Sequence, residues 1–125
     1  MSLKLFDVII KVKEKAEESS ETEIIDIINT LQAKLISGVF EPCQIQTSIE
    51  WLDKDSDKNT KLLLEKEFID LYFYYIMAVL SALDSDIEAY ENYSALFHIE
   101  YSEFSLKFRK NNRPKKTVKL GGRNI

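Results

Sequence analysis

Cysteine, histidine, proline and glycine are scarce: the 125 residues hold one Cys, one His, two Pro and three Gly. A lone Cys43 excludes an internal disulfide, and with only His98 to join it no Cys/His zinc set can be assembled. Beside Pro42 and without an electropositive neighbour, Cys43 reads as a packing residue rather than a reactive thiol. Glycine-rich phosphate loops, GxSxG, HExxH and C-x-x-C are all missing, which removes the usual nucleotide, hydrolase and metal signatures. His98 follows Phe97 in an aromatic stretch and has no nucleophile in view to serve, so it reads as structural. "DKDSDKNT" alternates Asp53, Asp55 and Asp57 like the start of a calcium loop, yet it has no central Gly, and Lys54 and Lys58 oppose a cation. The expectation is therefore no catalytic residue, no cofactor and no metal.

Long apolar runs are missing too. "FIDLYFYYIMAVLSAL" carries Asp70 and is short for a membrane span. "MSLKLFDVIIKVKEK" lacks the charged start, apolar core and cleavage site of a signal peptide. A soluble, unexported protein with no membrane partner is expected. What the chain does have is aromatic residues, with seven Phe, six Tyr and one Trp, and enough length for one domain with a real core. It also has a division of charge behind its net −4. Residues 107–125, "KFRKNNRPKKTVKLGGRNI", hold eight Lys/Arg and no acid, whereas residues 1–106 hold nine Lys/Arg against twenty-one Asp/Glu.

Apolar Leu3, Phe6, Ile9, Ile10 and Val12 predict a first helix over about 3–17. Ser20 is placed to cap a second helix, with Glu23 reaching back to the cap's amide. Ile24, Ile27, Ile28, Leu31 and Leu35 then form one stripe, and Gly38 is the expected stop. Residues 39–64 are less regular: alternating Ile45, Thr47, Ile49 and Trp51, a polar loop and "LLL" fit a β-hairpin or two extended arms. Trp51 is either a lid over the core or, with Ile49, a subunit contact. "EKEFIDLYFYYIMAVLSAL" is apolar on most faces (Phe68, Leu71, Tyr72, Tyr75, Ile76, Val79, Leu80, Leu83), the mark of a central helix; Asp70 and Glu67 at its start suit the helix dipole. Asp84 or Ser85 is expected to cap a fourth helix. In it Ile87, Tyr90, Ser94, Phe97, Tyr101, Phe104 and Phe108 make an aromatic seam flanked by Tyr93, Leu96 and Ile99. That helix should end near Lys110, before "NNRP".

The fold class that follows is mainly α: a small four-helix bundle over residues 1–113, with an extended loop or hairpin between helices 2 and 3 and an extended basic arm over 114–125. The arm can neutralise phosphates on nucleic acid, dock into an acidic groove of a protein partner, or simply be solvated.

The stretch from Leu62 to Pro114 resembles the head-tail connector (adaptor, or head-completion) proteins of long-tailed bacteriophages and prophages. The resemblance rests on Leu62–Leu63 followed by Glu65, "YFYYIMAVLSALD" from Tyr72, "YEN" from Tyr90, "FHIEYSEF" from Phe97 and "RKNNRP" from Arg109. These are packing letters, not active-site letters. The resemblance implies a non-enzymatic virion protein of the neck, made in the host cytoplasm. It implies a ring, dodecameric in this family, below the portal protein, extending the DNA channel and docking a stopper or tail-terminator protein. Packaged DNA would pass without specific binding. The arm residues Lys115, Lys116, Thr117, Val118, Lys119, Leu120 and Arg123 are then expected to meet a portal subunit or a neighbouring copy. The alternative is a small nucleic-acid-binding regulator that uses the same basic arm.

Overall fold

A computed structural model of the chain describes residues 1–112, so the expected arm, Lys115 to Leu120 and Arg123 included, lies outside the described residues. The architecture is mainly helical. Four helices, α1 (Leu5–Lys15), α2 (Glu21–Leu35), α3 (Ile69–Leu83) and α4 (Ile87–Asn111), accompany two short strands, β1 (Ser2–Lys4) and β2 (Lys61–Glu65).

The expected first helix loses its opening residues to β1. Leu3 is fully buried, but its neighbours pair antiparallel with β2, Ser2 opposite Glu65 and Lys4 opposite Lys61, and the Leu5 N–H donates to the Thr60 carbonyl at 2.9 Å. Asp7 then closes the helix start, its carboxylate accepting the Lys4 N–H at 3.0 Å. The buried stripe of α1 is Leu5, Val8, Ile9 and Val12, while Phe6 and Ile10, expected inside, face out. Starting two residues later rotates the face that the core takes.

Ser20 caps α2 as expected, its Oγ accepting the Glu23 N–H at 3.0 Å; the reciprocal bond from Glu23 is not formed. Ile24, Ile27, Ile28, Leu31 and Leu35 are all buried. Gly38 does not stop the helix. The chain runs on through a π turn (Ile36–Phe40) and a 3₁₀ turn (Glu41–Cys43) and ends at Gln44, whose φ of 61° is left-handed. Gly38 instead admits a neighbour: a Cβ there would stand 3.1 Å from the Tyr101 hydroxyl of α4.

Beyond Gln44 the chain takes the extended form of the two expected, and β2 pairs with the N-terminal β1 rather than with a strand of its own loop. The β1–β2 register is irregular between Ser2 and Lys4, so Leu3 faces a longer stretch of β2. An irregularity of this kind strands N–H groups without a ladder partner. Buried side chains take them: the Leu63 N–H donates to Gln32 Oε1 at 2.8 Å, and the Leu64 N–H to the Tyr72 hydroxyl at 3.3 Å.

Helix α3 is central, packed by α1, α2 and α4, with Leu71, Tyr72, Phe73, Ile76, Met77 and Leu80 buried. Of the apolar residues expected inside, only Leu83, at its end, turns out to solvent. The cap of α4 is Asp86, not Asp84 or Ser85: its Oδ1 accepts the Ala89 N–H at 3.1 Å, while Asp84 ends α3 and Ser85, at φ 58°, makes the left-handed turn between them. The aromatic seam of α4 is inward only from its middle. Phe97 packs on Tyr75, Phe104 on Phe68 and Phe108 on Phe40 (centroids 5.1, 4.9 and 4.4 Å), and Tyr93 joins them against Phe73. Ile87 and Tyr90 are exposed, because α3 ends before it can cover them. The helix ends at Asn111, where the spacing places it.

Two substitutions test this packing. Asn29 is fully buried and holds the Leu52 backbone at both its N–H and its carbonyl (3.0 and 2.8 Å), so Asn29→Ala strands both groups and should cost about 2–3 kcal/mol in urea unfolding. Ser105 is buried on α4 with its hydroxyl unpaired among the described residues; Ser105→Ala should be neutral or stabilising by up to about 1 kcal/mol, and a loss above that would reveal a partner for the hydroxyl.

Candidate partner-binding surface

Residues 44–60 cross the surface between α2 and β2 and are fastened at few points. At one end the Ile45 N–H donates to the Phe40 carbonyl at 3.0 Å. At the other Asn29 of α2 grips Leu52, which is buried. Between them, residues 46–51 make no hydrogen bond to any described residue, so their backbone donors and acceptors are left unmet within residues 1–112. Such a row is an open edge on which another strand can pair.

Side chains along this edge begin with the expected alternation, Ile45, Thr47 and Ile49 half-buried and Gln46, Ser48 and Glu50 exposed. The phase then breaks. Trp51 is 64% exposed and Leu52 goes in, because the Asn29 grip selects Leu52 as the residue that meets α2. Trp51 is thus not a lid over the core. Ile49 lines a cleft of about 300 Å³ with Gln32, Leu52, Leu62 and Leu63; a second cleft, about 460 Å³, lies beside Glu41 and Gln44–Thr47. The two candidate contact residues therefore stay on one segment but face different surroundings.

The loop that follows spends its carboxylates on itself. Asp53 Oδ1 accepts the Asp55 N–H and Asp57 Oδ1 the Asn59 N–H, both at 2.9 Å, forming consecutive Asx turns; Lys58 reaches Glu21 at 3.5 Å. Among the described residues no group of three or more His, Cys, Asp or Glu side chains is placed to hold a metal. His98 is exposed on α4 beside Phe97, and Cys43 is buried.

At the foot of α4 the cations divide. Lys107 lies 3.3 Å from Glu67 and over the Phe68 ring, while Arg109 and Lys110 are exposed in the last turn, where the helix dipole favours them. Glu100, half-buried and facing Glu103 and Asp70, has its carboxyl pushed up by desolvation first and by those two carboxylates second. Further apolar side chains are exposed on separate faces: Phe6 and Ile10 on α1, Leu83, Ile87 and Tyr90 around the α3–α4 turn, and Leu96, Ile99 and Leu106 on the outer side of α4. None of the described helices is long and apolar enough to cross a membrane.

The open edge was not read from the sequence, although Asn29 and Gln32, polar residues inside an apolar stripe, were a visible signal for it. The chain matches no protein-family model, no curated protein and no solved structure at a significant level.

Tyr72 supplies the test of how tightly the edge's neighbour β2 is held. Its hydroxyl donates to Gln32 Oε1 at 2.6 Å, and desolvation, only partly offset by the Leu64 and Leu63 amides, pushes its ionisation far above the usual tyrosine range. The neutral form is favoured in the folded state, so its contribution is intact below about pH 10 and is lost as pH rises above that. Tyr72→Phe should cost about 1–2 kcal/mol at pH 7 and make alkaline unfolding, followed by circular dichroism, less steep above pH 10 than in the wild type. Equal alkaline slopes would contradict this.

Proposed function

We propose that the chain is a structural, non-enzymatic head–tail connector subunit of a long-tailed bacteriophage or prophage. Copies assemble as a dodecameric ring below the portal protein, extend the DNA channel and dock a stopper or tail-terminator protein, and the protein resides in the neck of the virion. The observation that carries this reading is a small helical domain with large apolar side chains, Phe6, Trp51, Ile87, Ile99 and Leu106, exposed on several separate faces. Ring subunits need such multiplicity, since each presses one surface against a different surface of the next and still meets components above and below. Of the packing letters behind the resemblance, those from Tyr72 to Asn111 fall in the hairpin of α3 and α4, whose helices pack together, and Leu62, Leu63 and Glu65 fall in β2. An excess of twelve acidic charges over residues 1–106 suits a channel wall, which should repel phosphate rather than hold it. The arm, Lys115 to Arg123, is the segment offered to a portal subunit or a neighbouring copy.

A second reading has one observation in its favour, the eight uncompensated cations of residues 107–125, which suit an arm on nucleic acid. Purified protein mixed with the portal protein of the phage or prophage that encodes it separates the two. Electron microscopy should show a ring on the portal, and duplex DNA should bind negligibly at about 0.15 M salt. Absence of a ring together with duplex binding that falls steeply with salt would overturn the connector reading in favour of the regulator.

A further inference from the structure

The open backbone of residues 46–51 lies close to where α4 delivers the C-terminal arm. Phe108 stacks on Phe40 at 4.4 Å, and the Phe40 carbonyl accepts the Ile45 N–H, so the last turn of α4 stands at the head of the open edge. Three residues, 112–114, span roughly 10 Å from there to Lys115. Six residues of strand, whether 46–51 or 115–120, span roughly 20 Å.

We propose that in the free subunit Lys115–Leu120 of the same chain occupy this edge, running in the same direction as residues 46–51. The register that begins with Lys115 beside Gln46 matches side chains over its second half. Val118 falls beside half-buried Ile49, Lys119 beside exposed Glu50, and Leu120 beside exposed Trp51. Main-chain hydrogen bonds give such an added strand its affinity and alternate side chains its specificity. Charge points the same way: residues 46–57 hold Glu50, Asp53, Asp55 and Asp57 against Lys54, and residues 115–120 hold three lysines and no acid. The tether favours the chain's own arm over a second copy's, since a short linker presents its end at millimolar effective concentration.

The inference stands whether or not the protein is a connector. If it is one, the same residues cannot pair with this edge and with a portal at once. The arm is then held on its own subunit, where it also blunts an edge prone to aggregation, until a partner takes it.

Hydrogen–deuterium exchange on the full-length protein at low micromolar concentration, wild type against Val118→Asp/Leu120→Asp, tests this. Both substitutions lie outside the described residues 1–112, so the fold of those residues should survive, with exchange in α2 and α3 unchanged as the control. Amides of residues 46–51 should exchange at least about tenfold faster in the variant, the loss of strand hydrogen bonds that fix these amides. Emission from Trp51, the only tryptophan, should shift to the red in the same variant, and Val118→Ile/Leu120→Ile should restore both signals. Equal exchange of residues 46–51 in wild type and variant would overturn the proposal, as would wild-type protection that grows with protein concentration, which would make a second copy the occupant.

Discussion

Two buried side-chain amides one turn apart on α2, Asn29 and Gln32, decide how the non-helical third of the domain is held. Asn29 serves both backbone groups of Leu52 as a neighbouring strand would. Gln32 accepts from the Leu63 N–H and from the Tyr72 hydroxyl, and that hydroxyl accepts in turn from the Leu64 N–H. The chain between α2 and α3 thus touches the helices through polar groups inside an apolar interior, where an unmet group is costly and a met one fixes position. Everything in that region follows from these few bonds: Leu52 turned in, Trp51 turned out, β2 fixed for β1 to pair with, and residues 46–51 left open between anchors.

The helical part obeys a simpler constraint. Because α3 is apolar on most faces it must be surrounded, and α1, α2 and α4 surround it. Helix α4 has one sheltered face, in which only Phe104 and Ser105 are buried, and a long outer side on which Leu96, Ile99 and Leu106 meet solvent. A helix of 25 residues with two buried residues leaves a long side free, the kind of exposed apolar surface that can mark an interaction site. That surface, rather than any pocket, is what the connector reading uses.

Much of the helical fold was legible. The stripe of α2, the central character of α3 and the length of α4 rest on regular apolar spacing, which a helix converts directly into a buried face. The failures occurred where a distant partner decides the outcome. Leu3 fits the helical pattern of α1 and still belongs to a strand, because β2, nearly sixty residues away, claims its backbone. Gly38 looks like a stop and is instead the gap through which Tyr101 approaches. Trp51 continues an alternation that Asn29 breaks. Of the surface, Ile49 and Trp51 are legible in the sequence, but the open edge they belong to is not, since a backbone left without partners has no letter of its own.

Native-state hydrogen exchange at the amides of Leu52, Leu63 and Leu64 tests the central role of the buried amides most directly. If Asn29, Gln32 and Tyr72 hold these residues as part of the core, their amides should open only with global unfolding, at the same free energy as the slowest amides of Leu71 to Leu80. Exchange through a local opening several kcal/mol below that limit would contradict it, and would make the chain between α2 and α3 a loop lying on a finished bundle.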